Sequence, residues 1–304
     1  MIKEKASGFI YRNARPVDLA RWRYHFENGN KEAVLRALSF YQNKDGGFGH
    51  ALEADLWNPN STPIQTWAAT EILREIDFID KEHKSIKGIL NYLRSGQNFK
   101  EGFWSSVVKS NNDYPHAPWW HAETDSTLPD DYNPTACLAG FIMRFADKND
   151  ELYRMGCRIV KEAVNRFMYA DRQNDMHTIH CYIRLMQYCE EADINGVIDL
   201  SALKNKLIEQ VNLLITRNTS EWDTSYICKP SQFFNSNSSI FYVGNEDIAN
   251  YECDYIINTQ LADGSWNIPW QWNDYPQEWA VSKNWWKAYG IIINMLYLRG
   301  FGKL

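Results

Sequence analysis

The segment VLRALSFYQNKDGGFGH (34–50) returns in altered form as ECDYIINTQLADGSWNI (252–268). Each copy is an apolar run of helical periodicity, then a glutamine, two further residues, Asp-Gly, a small residue and an aromatic. Gln42 matches Gln260, Asp45-Gly46 matches Asp263-Gly264, and Phe48 matches Trp266. A weaker third copy, GILNYLRSGQNFKEGFW (88–104), keeps Gln97, Gly102 and an aromatic but has Glu101 in place of the aspartate. Repetition on this scale constrains the fold more than any local propensity does. One helix-turn unit cannot bury its own apolar face and must stack on a neighbour.

Each copy leads, through a polar loop, into another helical pattern. The first is TPIQTWAATEILREID (62–77), with Thr62 as N-cap and Pro63 at the first helical position. The second is NPTACLAGFIMRFAD (133–147), with Asn133 and Pro134 expected in the same roles. The last is SKNWWKAYGIIINMLYL (282–298), with Ser282 as the expected cap. Further amphipathic stretches cover 150–168, 175–193 (capped by Asp175) and 200–217, and an early helix is expected near 17–27. Strand-like alternation is scarce, SSIFYV (238–243) being the one tempting case. The expectation is an all-α chain forming one domain over 1–304. An open helical array needs polar caps at both ends. Here the final helix is among the most apolar segments, which points to a closed toroid of helical hairpins.

The pattern Gln-x-x-Asp-Gly-small-aromatic after an apolar helix resembles the QW-type repeat of squalene-hopene cyclases and the related terpene cyclase and prenyltransferase toroids. Gln260, Gly264 and Trp266 match it best, Gln42, Gly46 and Phe48 match with Phe for Trp, and Gln97 and Gly102 match loosely. The resemblance implies an (α/α)6-type toroid and an isoprenoid-like substrate. The chain departs from that family in lacking its Asp-x-Asp-Asp acid motif, and no Asp, Cys and His set matches the zinc site of the prenyltransferase branch.

Composition bears on partners and compartment. The net charge of -6, without a basic run, offers no footprint for nucleic acid. The longest apolar segment, AYGIIINMLYL (288–298), is too short to span a bilayer. No secretory leader is evident in MIKEKASGFIYRNARPVD, and the six cysteines are scattered. A cytoplasmic protein with free thiols, a small-molecule substrate and no metal or cofactor is expected. Thirteen Trp and seventeen Tyr are more than a core needs. Large aromatics also line pockets for sugars, apolar chains or cations.

Two loops entering expected inner helices carry the densest chemistry: GHALEADLWNPNSTP (49–63) and YPHAPWWHAETDSTLPDDYNP (114–134). Each holds a carboxylate-x-carboxylate pair, Glu53 with Asp55 and Glu123 with Asp125. These four are the candidate acids, able to protonate an alkene or a glycosidic oxygen if apolar walls raise a pKa. His50, Trp57, Trp119, Trp120, His121, Asp130 and Asp131 are the candidate substrate contacts around them. His177 and His180 share a helical face and, with Cys181, have the spacing of half a metal site, but without further ligands the favoured reading is a satisfied histidine facing a polar cavity, where His177 could help in acid–base work. Trp270 and Trp272 complete the candidates, for sugar stacking, cation stabilisation or plain packing. The leading expectation is acid-initiated chemistry on an isoprenoid in an aromatic cavity. The alternatives are a carbohydrate-active enzyme (a glycoside hydrolase or polysaccharide lyase) and a non-catalytic binding toroid.

Overall fold

The computed structural model describes residues 2–123, 132–169, 175–194 and 196–304. Among them the fold is all-α. The helices are α1 (Ile2–Asn13), α2 (Pro16–Phe26), α3 (Lys31–Ser39), α4 (Pro63–Glu75), α5 (Lys84–Ser95), α6 (Thr135–Phe145), α7 (Glu151–Tyr169), α8 (Met176–Glu191), α9 (Leu200–Leu214), α10 (Glu246–Asn258) and α11 (Pro276–Gly300). The regular β-structure is one antiparallel pair, β1 (Phe99–Lys100) and β2 (Phe103–Trp104), with Phe99 opposite Trp104. The segment 238–243 forms turns rather than a strand. The chain divides into two compact units, Met1–Leu38 with Val211–Leu304, and Ser39–Gln210. All six cysteines are free. No helix among the described residues is long and apolar enough to cross a membrane.

In the Ser39–Gln210 unit, capping places the helices. The Thr62 side chain accepts from the Gln65 amide and Pro63 opens α4. Asp175 accepts from the amides of His177 at 2.7 Å and Thr178 at 3.0 Å, fixing the start of α8. These bonds satisfy donors that a helix start otherwise leaves orphaned. The centre of the unit is α6, buried at every position except Arg144. It lies against α8 and α7. Close approach needs small residues. A Cβ added at Gly140 would meet the Leu185 backbone at 2.9 Å.

Three boundaries differ from expectation. Helix α6 begins at Thr135, so Asn133 is not its cap, and Pro134 precedes the helix without a side-chain cap. Helix α11 begins at Pro276, six residues before Ser282, which is buried inside the helix. Residues 276–279 of the expected aromatic loop are therefore helical. Helix α1 was not expected. Its apolar face is only Ala6, Phe9 and Ile10, which pack with Trp22 and the α11 residues Ile291, Ile292 and Met295.

The repeated turns have one geometry. In the Ser39–Gln210 unit, Gln42 Nε2 donates to Gly46 O at 2.9 Å, closing its own turn, and to Ser85 O at the start of α5 at 3.1 Å. In the other unit, Gln260 Nε2 donates to Gly264 O at 3.0 Å and to Ile2 O at the start of α1 at 2.9 Å. Asp45 accepts from the Gly47 amide and from Ser61 Oγ, while Asp263 accepts from the amide and hydroxyl of Ser265. Gly46 and Gly264 have φ of 92° and 96°. Both are also pressed onto the helix they dock: an added Cβ would lie 2.1 Å from Gly88 O or from Lys5 O. Trp266 is buried and donates its indole N–H to Ile256 O at 2.8 Å. The turn thus joins the helix before it to the start of another helix. Helix α1 takes, beside the last repeat, the place α5 takes beside the first. The third copy has lost this function. Gly102 keeps φ of 92°, but an added Cβ there would meet only Glu162 Oε2, at 3.9 Å, and Gln97 is exposed.

Candidate functional site

The two expected loops are joined. Leu56 and His116 form an antiparallel bridge, with the Trp57 amide donating to Pro115 O and the Ala117 amide donating to Asp55 O, both at 2.9 Å. Asn58, fully buried, knits them further. Its Nδ2 donates to Ser110 Oγ at 2.9 Å and to Asn111 Oδ1 at 3.0 Å, and its carbonyl accepts from Gln65 Nε2 and the His50 amide. Asn111 Nδ2 in turn donates to Trp120 O. Buried amides of this kind are satisfied in one arrangement, so they specify it.

On this platform Trp119, His121 and His50 stand toward solvent, while His116 is buried. Trp119 is 46% exposed. Trp57 and Trp120 are half-buried, and the Trp120 indole N–H has no acceptor among the described residues. His116 and His121 stack at 5.3 Å and share a hydrogen bond of 3.1 Å between Nε2 and Nδ1. His116 Nδ1 lies 2.6 Å from Tyr114 O. The carbonyl can only accept, so Nδ1 of His116 carries hydrogen; in a neutral ring Nε2 is then the acceptor toward His121. His50 is exposed and bonded to Asn43 of the first repeat turn at 2.9 Å.

The candidate acids are divided. Glu53 and Asp55 are buried, at 8% and 2% exposure, and both engage other groups, so neither is a free carboxylate. Glu123 is exposed. Asp125, Asp130 and Asp131 lie outside the described residues. Trp270 and Trp272 belong to the other unit. Trp272 is buried against Trp279, a packing role. Trp270 is half-buried, edge-on to Trp286 and Tyr226.

The sequence reading missed a second cluster in the Ser39–Gln210 unit. Along α8 the accessible positions are His177, His180, Arg184, Gln187, Glu190 and Glu191, a polar stripe at helical spacing. Along α4 they include Trp67, Glu71 and Arg74. The stripes meet at Glu71. Arg184 Nε donates to both Glu71 oxygens at 2.9 Å and a second guanidinium nitrogen donates to Oε2, while the third is held by Gln187 Oε1. His180 Nε2 lies 3.1 Å from Glu71 Oε2. Trp67 sits edge-on to His180, its indole N–H unpartnered among the described residues. The Glu71, His180 and Arg184 side chains are 18–27% exposed, so they are reachable from solvent.

Burial works to raise the Glu71 carboxyl, but the Arg184 charge and the His180 hydrogen bond override it and hold it well below the usual carboxylate range. Glu71 is a fixed anion, suited to orienting and stabilising an imidazole and unsuited to giving up a proton. Cys137 Sγ lies 3.5 Å from Glu71 Oε1, and burial and that carboxylate push its thiol up, so it stays protonated. His177 is exposed, and Cys181 is buried and bonds Asn133, so His177, His180 and Cys181 do not converge on one point. Among the described residues no group of three or more His, Cys, Asp or Glu side chains is placed to hold a metal ion.

A nearby recess, lined by Leu73, Arg74, Phe78, Phe141, Phe145 and Tyr188, has a volume of about 130 Å³. Ligand sites typically run ~300–1,000 Å³. The Arg74–Glu191 pair, at 2.6 Å, stands at this recess. It is too small to be a substrate chamber.

No family model, curated protein or solved structure matches the chain.

Proposed function

We propose that this chain is a carbohydrate-active enzyme acting on a glycan by proton transfer, with His180 as the base. The observation that carries the reading is the Glu71–His180–Arg184 cluster, a carboxylate-oriented imidazole at the accessible meeting of two helices. Glu71 orients the imidazole, and Arg184 keeps Glu71 ionised. Trp67, Trp57, Trp119 and Trp120 are partly or largely exposed and offer ring faces on which sugars stack. The accessible stripe of α8 is polar throughout, and the recess beside it is small. Both support a hydroxyl-rich substrate over a hydrocarbon one.

The isoprenoid reading keeps one specific support, the paired Gln42 and Gln260 turns. They are the feature by which the chain resembles that family's repeat, and fold is weaker evidence than site. A binding screen separates the two. Cellohexaose, chitohexaose, a glucuronic acid oligosaccharide and farnesyl diphosphate are titrated into the wild type and into Trp119→Ala with Trp120→Ala. The expected result is saturable binding of a glycan, weakened in the double variant. Binding of farnesyl diphosphate alone, or glycan binding indifferent to both tryptophans, overturns the reading.

A further inference from the structure

In the unit formed by Met1–Leu38 and Val211–Leu304, the amine of Lys229 lies over two aromatic faces, 4.3 Å from the Tyr255 ring centroid and 5.2 Å from that of Trp222. Tyr251 packs beside both rings, edge-on to Trp222 at 5.2 Å and parallel to Tyr255 at 6.5 Å. Among the described residues the amine makes no hydrogen bond and no ion pair. The rings do not need Lys229 to stay in place. Trp222 donates its indole N–H to Thr216 O at 3.1 Å, and Tyr255 OH lies 3.1 Å from Trp222 O and 2.8 Å from Asp223 Oδ1. Trp222 is buried, while Tyr251 is 41% exposed, so the corner opens to solvent on the tyrosine side. Asp223, which accepts from Tyr255 OH at the rim, gives it negative character.

The occupant and the site are mismatched. A primary ammonium carries three N–H donors and is strongly hydrated. Here it meets ring faces and no acceptor. Burial pulls the Lys229 amine below the ordinary lysine value, the mark of hydration surrendered without hydrogen bonds in return. A cation without N–H groups loses nothing in such a corner and gains the same attraction from the rings.

We propose that Trp222, Tyr251 and Tyr255 form a binding site for a quaternary ammonium group, with Lys229 as an intramolecular occupant that the ligand displaces. The site is independent of the glycan reading. Its neutral control is a ligand of the same shape without charge, such as 3,3-dimethylbutanol against choline.

The test titrates tetramethylammonium and choline into the full chain, read by Trp fluorescence and by the rate at which Lys229 is acylated in site-resolved mass spectrometry. The wild type should bind both cations saturably and leave 3,3-dimethylbutanol unbound. Acylation of Lys229 should accelerate as the cation fills the corner and frees the amine. Lys229→Gln should bind about tenfold tighter, because the competing occupant is gone. Trp222→Ala should not bind. No saturable binding by the wild type, equal binding of the neutral isostere, or a Lys229 acylation rate indifferent to tetramethylammonium overturns the proposal. The acylation readout uses the wild-type chain, so it stands even where Trp222→Ala fails to fold.

Discussion

Adding one methyl group at Gly264 separates the docking role of the repeated turn from its local conformation. At φ of 96° an alanine is strained, costing about 1–2 kcal/mol. The new Cβ would also lie 2.1 Å from Lys5 O and 2.5 Å from its carbonyl carbon, both main-chain atoms that cannot rotate away. Either the turn or the start of α1 must move by about 1 Å to restore ordinary contact, and overpacking of this kind costs about 1–3 kcal/mol. The movement also pulls on the Gln260 to Ile2 hydrogen bond, which contributes about 1 kcal/mol. Gly264→Ala should therefore lose ~3–6 kcal/mol. Gly46→Ala should behave alike, with its Cβ against Gly88 O. Gly102→Ala is the internal control. Its φ is 92°, yet the nearest atom is a flexible carboxylate oxygen at 3.9 Å, so only the conformational cost of about 1–2 kcal/mol applies. Equilibrium urea unfolding measures the three losses, and amide exchange should report faster opening of α1 in Gly264→Ala alone. Equal losses at all three glycines would refute the reasoning, because the turn would then be a local bend and not a dock.

Other consequences follow from the same contacts. Glu71→Gln leaves Arg184 without its anion; because both side chains are about one-fifth exposed, the loss in thermal or urea unfolding should be ~2 kcal/mol, below the fully buried range. Glu71 is held below its ordinary value, so its contribution is present above about pH 4.5 and fades as pH falls through the folded value. Glu252 has the opposite sign. Burial pushes it up to about 7 against the Ser231 hydrogen bonds, so the unfolded chain releases that proton first and stability falls as pH rises from about 4.5 to about 7. At ~1.36 kcal/mol per pH unit the fall is on the order of 3 kcal/mol, and unfolding of Glu252→Gln followed across that window should lack it. Asn58→Ala should cost ~2–3 kcal/mol by orphaning its buried partners, with faster amide exchange at 114–121; protection there unchanged would mean the two loops hold without it.

Much of the helical framework was legible because its signals are local. Thr62-Pro63 and Asp175 mark helix starts by side-chain chemistry that acts within three residues. Where two local signals compete, reading is harder: Ser282 is a good cap, but Pro276 lies upstream and the helix starts there. Helix α1 offers only three buried apolar residues among charges, and its stability comes from packing on Trp22 and α11. The repeat showed which turns matter, and the hydrogen bonds of Gln42 and Gln260 explain why a glutamine stands there. The loops 49–63 and 114–134 were legible as rich in chemistry, but their Leu56–His116 bridge was not, since a pairing between irregular segments has no periodicity. Glu71 and Arg184 are 113 residues apart. Nothing local distinguishes Glu71 from an ordinary surface acid on a helix. The i, i+3, i+7 stripe of His177, His180 and Arg184 was the available signal, and it pointed to α8 without naming its partner.

The central claim is that His180, oriented by Glu71, moves a proton on a bound glycan. The most direct measurement compares wild type and His180→Gln on whichever oligosaccharide of the panel binds most tightly, with affinity by calorimetry and turnover by product analysis. Turnover should fall by roughly 10²–10⁴ while affinity stays within about twofold, as expected when proton transfer is removed and binding is kept. Turnover unchanged by His180→Gln, or lost only in step with affinity, contradicts the account.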